Sequence, residues 1–181
     1  MANQQLIISG VGGQGILFVT RLLAETAIRK GLAVMTSETH GMAQRGGVVI
    51  SHLKVGDFAS PLVRPGCADG LLALKAENLP LHRHFLRPAG WVVVNAPRAP
   101  EWTGETLHSL DADRLALELG NPQALNLLLL GFAVARLAPA AALFCSLDEL
   151  VATIEHRLAA KGVLLAESLK ALRLGIERGA A

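Results

Sequence analysis

The sequence predicts an α/β fold, a single domain whose mostly parallel sheet is flanked by helices on both faces and followed by a helical C-terminal part. Three observations predict it. Residues 6–17 form an apolar run that breaks into glycines and resumes with helical periodicity, so a buried strand feeds a tight turn that opens a helix. Residues 32–38 read as a second strand after that helix, and a strand-helix-strand order with a crossover helix implies parallel pairing and a right-handed connection. From Asp111 onward, helical patterns follow one another.

The elements can be justified in order. Residues 14–30 place Ile16, Val19, Leu23, Ala27 and Ile28 on one stripe, with Arg21, Glu25 and Arg29 largely outside it, and Gly31 ends the helix. Residues 48–54 read as a third strand and 55–58 as a turn, while proline keeps residues 60–66 extended. Residues 69–74 are a buried strand. Residues 76–86 predict one short helix carrying His82 and His84, closed by Pro88 and Gly90 before an apolar strand over 91–95. Pro97, Pro100 and Gly104 mark residues 96–106 as a loop, and 111–119 as a helix follows.

Asn121 and Pro122 predict an N-cap and first helical position for a helix to about residue 137. Ser146-Leu147-Asp148-Glu149 matches a capping box for the next helix, which Gly162 separates from a last one over 163–178. Residues 124–144 are mostly apolar, but Asn126, Arg136 and Pro139 interrupt them, so this helix belongs in a core or under a partner subunit and not across a membrane.

A chain of 181 residues with 51% hydrophobic content supplies one core, so the domain is expected to run over residues 1–181. A formal charge of +2 spread along the chain gives no basic tract, and 4% aromatic residues without tyrosine leave little for base stacking, which argues against nucleic acid. Cys67 and Cys145 are far apart and lack a C-x-x-C partner, so thiolates of this chain alone build neither a zinc site nor an iron-sulfur cluster. The N-terminal residues have no charged region followed by an apolar one, and the expected compartment is the cytoplasm.

Gly10, Gly12 and Gly15 fit the G-x-G-x-x-G spacing, with Gly13 and Gln14 between them. Such a turn lets a backbone approach a ligand closely, and the unpaired N–H groups at the following helix start favour an anion. The alternative is that the glycines only let helix and strand pack. Glu38 lies near the spacing at which an acidic residue holds the ribose of a dinucleotide, or else it is a solvated strand end. Arg45, between Gln44 and Gly46-Gly47, carries a guanidinium that can fork onto phosphate or carboxylate, or is a solvated loop residue. His40 and His52 flank this loop, with strand packing or surface exposure as the plain alternative, and no histidine pair has H-E-x-x-H spacing. No catalytic residue is assigned.

Gly10-Val11-Gly12-Gly13-Gln14-Gly15 after an apolar strand, then Ser37-Glu38-Thr39-His40-Gly41-Met42-Ala43-Gln44-Arg45-Gly46-Gly47 leading into Ile50-Ser51-His52-Leu53, resembles the gamma-type subunit of 2-oxoacid:acceptor oxidoreductases, with the beta subunit of the indolepyruvate enzymes nearest. The likeness continues through Ser60-Pro61-Leu62, Ala68-Asp69, Pro88-Ala89-Gly90 and residues 126–131, nearly the whole chain. The resemblance implies a subunit inactive alone. Its partner chains would carry thiamine diphosphate, magnesium and 4Fe-4S clusters, pass electrons to ferredoxin or another acceptor, and leave CoA an open option at the interface.

On the same resemblance, Gly10, Gly12, Gly13, Gln14, Gly15, His40, Gln44, Arg45, Gly46 and Gly47 would face the cofactor or the shared active site. Residues from His108 onward match no pattern that identifies a substrate. A stand-alone dinucleotide-binding oxidoreductase and a non-catalytic assembly scaffold remain the alternatives.

Overall fold

The computed structural model describes residues 3–40, 46–140 and 142–180, without the side chains of His40 and Pro139. Its sheet has six strands, β1 (Gln4–Val11), β2 (Val34–His40), β3 (Val48–Val55), β4 (Ala68–Ala73), β5 (Leu86–Asn95) and β6 (Thr106–Leu110), in the order β2-β3-β1-β4-β5-β6. The pairs β1/β4, β4/β5 and β5/β6 are parallel, whereas β3 is antiparallel to both β1 and β2. The sheet is therefore mostly parallel with an antiparallel margin.

That margin corrects the expected opening unit. The helix α1 (Ile16–Arg29) does carry the chain from β1 to β2, but the two strands do not pair, because β3 lies between them. Leu53 of β3 is opposite Leu6 on one side and Thr36 on the other. Burial explains the order. β3 is almost entirely buried from Val49 to Val55 and suits an interior position, while β2 has no fully buried residue from Val34 to Thr39 and suits an edge.

The two faces of the sheet are covered very differently. Leu6, Ile8, Leu53, Leu72 and Val93 join one apolar cluster with α1, α3 (Ala112–Glu118), α4 (Leu125–Leu137), α5 (Leu147–Leu158) and α6 (Gly162–Ala180). Ile7, Leu71, Ala73, Val92 and Val94 face the other way, under Val63, Leu79, Phe85 and Trp102. The helices expected on both faces thus fall mainly on one. The second face carries the single-turn α2 (Leu79–His82) between two 3-10 turns, Ala76–Asn78 and Arg83–Phe85, in place of the one helix expected over 76–86.

The apolar helix α4 is a core helix. It packs between the sheet and α6, where the backbones come so close that a Cβ on Gly131 would meet the Leu172 carbonyl and one on Gly175 the Leu128 carbonyl. No helix among the described residues is long and apolar enough to cross a membrane. At the next helix, α5, both halves of the expected capping box form: Ser146 Oγ accepts from Glu149 N, and Glu149 Oε2 accepts from Ser146 N at 2.8 Å.

Strand β6 replaces the last residue of the expected loop and the gap before α3. It pairs in parallel with β5 from Thr106 opposite Trp91 to Leu110 opposite Asn95. The strand before it starts earlier than expected, at Leu86, through an irregularity after which Gly70 meets Trp91. Pro88 and Gly90 lie inside that irregular start and do not close a helix.

Candidate functional site

The site grows from the end of β1. Between Val11 and Ile16 the backbone turns through Gly13 and Gly15, whose φ values of 98° and 79° a side chain would strain. Gln14 holds the turn. Its Oε1 accepts from Val11 N at 2.9 Å and its Nε2 donates to the Leu74 carbonyl at 3.0 Å, tying the ends of β1 and β4 together. Gly15 caps α1 without any side-chain hydrogen bond, and the first turn holds no acidic residue. No acidic side chain of the first turn neutralises the positive end of the helix dipole.

The two glycine motifs meet here. Gly12 N donates to the Gly47 carbonyl at 3.0 Å, and a Cβ on Gly12 would sit 3.6 Å from Gly46 N. The antiparallel register brings them together, since Gly10 faces Val49 and Val11 faces Val48. Gly41, Met42, Ala43, Gln44 and Arg45 lie outside the described residues.

Of the histidines expected to flank that loop, His40 ends β2 opposite Val49, whereas His52 is three residues farther along β3, opposite Ser37. The structure does not bring them together at one level of the hairpin. His52 is a buried strand residue whose Nδ1 accepts from Val63 N at 3.2 Å, and burial, followed by the charge of Lys54, lowers its pKa.

A cleft of about 310 Å³ opens beside the turn, lined by Gly13, Gly15, Phe18, Asn126, Glu167 and Ser168 among others. A Cβ on Gly13 would touch nothing within 4 Å, so the turn is open on that side. Asn126 and Ser168 are 9% and 6% exposed, which makes them buried polar side chains at the cleft wall. Asn126 Nδ2 donates to the Gln14 carbonyl at 3.2 Å and occupies the space a Cβ on Gly15 would need. Sequence reasoning did not assign these two to the site. The available signal for Asn126 was a single amide in a helix whose other polar residue is Arg136; for Ser168 there was none.

Strand order bears on the dinucleotide alternative. With β3 inserted, Glu38 on β2 is two strand spacings from β1, about 10 Å, instead of on the neighbouring strand where a ribose-binding carboxylate belongs. Among the described residues no group of three or more His, Cys, Asp or Glu is placed to hold a metal ion. Cys67 and Cys145 lie in clusters on opposite faces of the sheet, and burial pushes the Cys145 thiol up to about 12.

Comparison with known proteins agrees with this architecture. Residues 5–178 match the family described as pyruvate ferredoxin/flavodoxin oxidoreductase. A protein of Archaeoglobus fulgidus named indolepyruvate oxidoreductase subunit IorB is 39% identical over 116 residues, 63% of this chain and 58% of that protein. A 2-oxoglutarate:ferredoxin oxidoreductase from Magnetococcus marinus, solved with 2-oxoglutarate, coenzyme A and succinyl-CoA bound, superposes with a TM-score of 0.79 at 20% identity, over 99% of this chain and 31% of that one.

The gamma subunit of a keto/oxoacid ferredoxin oxidoreductase from Geobacter sulfurreducens gives 0.76 at 23% identity, over 97% and 98% of the two chains. These two structures establish the likeness of fold. The match to this chain spans 58% of the Archaeoglobus relative and about a third of the Magnetococcus chain. The extent of the family match and the identity to the Archaeoglobus protein bear out the resemblance carried by the two glycine motifs: the chain belongs to the pyruvate ferredoxin/flavodoxin oxidoreductase family.

Proposed function

We propose that this chain is the cluster-free, gamma-type subunit of a thiamine diphosphate-dependent 2-oxoacid:acceptor oxidoreductase, with an aryl 2-oxoacid such as indolepyruvate as substrate. It shapes and closes an active site shared with partner chains that carry thiamine diphosphate, magnesium and 4Fe-4S clusters and that pass electrons to ferredoxin or another acceptor. The observation that carries this reading is the hydrogen bond from Gly12 N to the Gly47 carbonyl, which joins both motif loops beside the uncapped start of α1. A surface so built presents main-chain N–H groups at the start of α1.

The residues fit an anionic group such as a phosphate of coenzyme A. Gly13 and Gly15 at the helix start would hold it, Arg45 would neutralise it, and the cleft past Asn126 and Ser168 would take the uncharged part. When bound, coenzyme A supplies the thiol that accepts an acyl group. A 4Fe-4S cluster held by thiolates of this chain alone does not fit, since its two cysteines are on opposite faces of the sheet. Gln14 has a supporting role, since both ends of its amide are engaged in holding the turn.

Arg45→Ala in the assembled complex tests the reading. Turnover is expected to fall roughly tenfold or more while assembly and iron content stay unchanged, because the charge-assisted contact proposed for the guanidinium is lost. Gly12→Val should instead disturb the contact with Gly46 and Gly47 and weaken subunit association. Normal turnover of the Arg45→Ala complex with each substrate and acceptor would leave the assembly scaffold as the better reading.

A further inference from the structure

Directly beneath the glycine turn, on the thinly covered face of the sheet, three side chains form a closed polar chain. Ser9, Asn78 and His82 are 0%, 4% and 7% exposed. Asn78 Nδ2 donates to the Gly10 carbonyl at 2.8 Å and to Ser9 Oγ at 3.3 Å, and Ser9 Oγ lies 2.7 Å from His82 Nδ1. Ser9 immediately precedes Gly10, so the chain runs from the His82 ring to the first glycine of the turn.

Hydrogen-bond satisfaction selects its polarity. The Asn78 amide nitrogen only donates, so Ser9 Oγ accepts from it, and the Ser9 hydrogen finds its acceptor in the chain when His82 Nδ1 is unprotonated. His82 is then the neutral ring with its proton on Nε2, and every Ser9 and Asn78 contact in the chain is satisfied. A second proton on the ring would turn Nδ1 into a donor. Ser9 Oγ would then receive hydrogens from both sides, and its own hydrogen would lose its acceptor inside a fully buried strand. Moving Ser9 or Asn78 relieves the strain, and both are tied to Gly10, Ser9 through the backbone and Asn78 through its bond to the Gly10 carbonyl.

We propose that His82, acting through Ser9 and Asn78, is a positioning residue that holds the glycine turn in its ligand-binding shape while the ring is neutral, so that acidification loosens the turn and weakens anion binding. This rests on the reading of the turn as a ligand surface given above. The surroundings set the direction. Burial acts first to lower the His82 pKa, followed by His84 of the adjoining 3-10 turn and His52 of β3, and Lys54 acts in turn on His52. Phe85 packs among the three histidine rings, with its centroid 5.3 Å from His52, 6.5 Å from His82 and 4.1 Å from His84. Since the folded-state pKa is depressed, the ordered turn is fully present above the ordinary histidine value of 6.5 and is lost as pH falls through the lower folded value.

The test uses the assembled complex, coenzyme A as the probe, and hydrogen-exchange protection of residues 6–17, from about pH 8 to about pH 5. In the wild type, affinity should fall about tenfold, in step with protection, as pH drops through the His82 titration. His82→Asn supplies an acceptor that cannot titrate, so it should keep the neutral-pH affinity and lose the pH step. Ser9→Ala should show weak protection and weak binding at every pH. A step that persists in His82→Asn, or wild-type protection that is flat with pH, overturns the positioning role, and the wild-type series decides even if the Asn variant fails to assemble. A protection step without any coenzyme A binding to the wild-type complex overturns the ligand reading on which the proposal rests.

Discussion

The two faces of the sheet solve the same burial problem with unequal means. On the helix side, five helices share one continuous apolar cluster, and α4 and α6 approach until glycines are required between them. On the other side a single helical turn, two 3-10 turns and loops cover Ile7, Leu71 and Val92, and the polar chain through Ser9, Asn78 and His82 is embedded there. The difference teaches where rigidity and adjustability reside. Packing on the first face permits little change of volume, whereas the second is thin enough to relax and lies directly under the glycine turn.

The largest expected effect breaks the helix face at its closest approach. In Gly175→Val the new side chain meets the Leu128 carbonyl, a backbone atom that cannot yield, so a loss of about 3 kcal/mol or more is expected in thermal or denaturant unfolding. A variant as stable as the wild type would show that α4 and α6 are not so closely packed.

A matched pair of truncations sharpens the contrast. Leu128→Ala, at a fully buried position between sheet and α6, should cost toward the upper end of the ~2–5 kcal/mol range for such cavities, and Leu79→Ala under the thin cover toward the lower end. Equal losses would mean that the two faces are equally rigid.

The smallest effect concerns the rim of the helix face. Lys30 Nζ donates to Glu149 Oε2 at 2.8 Å and to the Phe144 carbonyl at 2.7 Å, and the Lys30 contact, then the Ser146 N–H, lowers the Glu149 pKa. A depressed carboxylate stabilises above its ordinary value of 4.5, and that contribution is lost as pH falls through the lower folded value. The side chains are 27% and 37% exposed, so solvent screening holds the effect under about 1 kcal/mol. Lys30→Ala should therefore be slightly less stable at neutral pH, with the gap closing in acid and in salt. A gap independent of both would assign the loss to the packing of the lysine stem.

What the sequence could show depended on how local each cause was. The capping box of α5 lies within four consecutive residues and was legible in full, as was the turn from β1 into α1. The position of β3 was not, because nothing within residues 34–55 says which strand will lie beside β1; the margin was decided by how much of each strand could be buried. β6 has five residues, one exposed and four half-buried, and so presents no apolar run to find. In the candidate site, both glycine motifs were visible, but the hydrogen bond that joins Gly12 to Gly47 depends on the unforeseen antiparallel register. Asn126 entered the site only through the folding of a helix more than a hundred residues away.

The insertion of β3 also imposes an order on synthesis. β1 is made before the other strands of this sheet, yet its two neighbours in the sheet are β3 and β4, so no partner for it exists within the sheet until Val48 has emerged. β2 and β3 are close in sequence and can pair locally at small entropic cost, whereas closing β3 onto β1 spans most of the stretch from Gln4 to Val55. A nascent chain that stops before β3 holds an apolar strand and an amphipathic helix with no sheet to join, which makes that interval the one in which the growing chain most needs shielding.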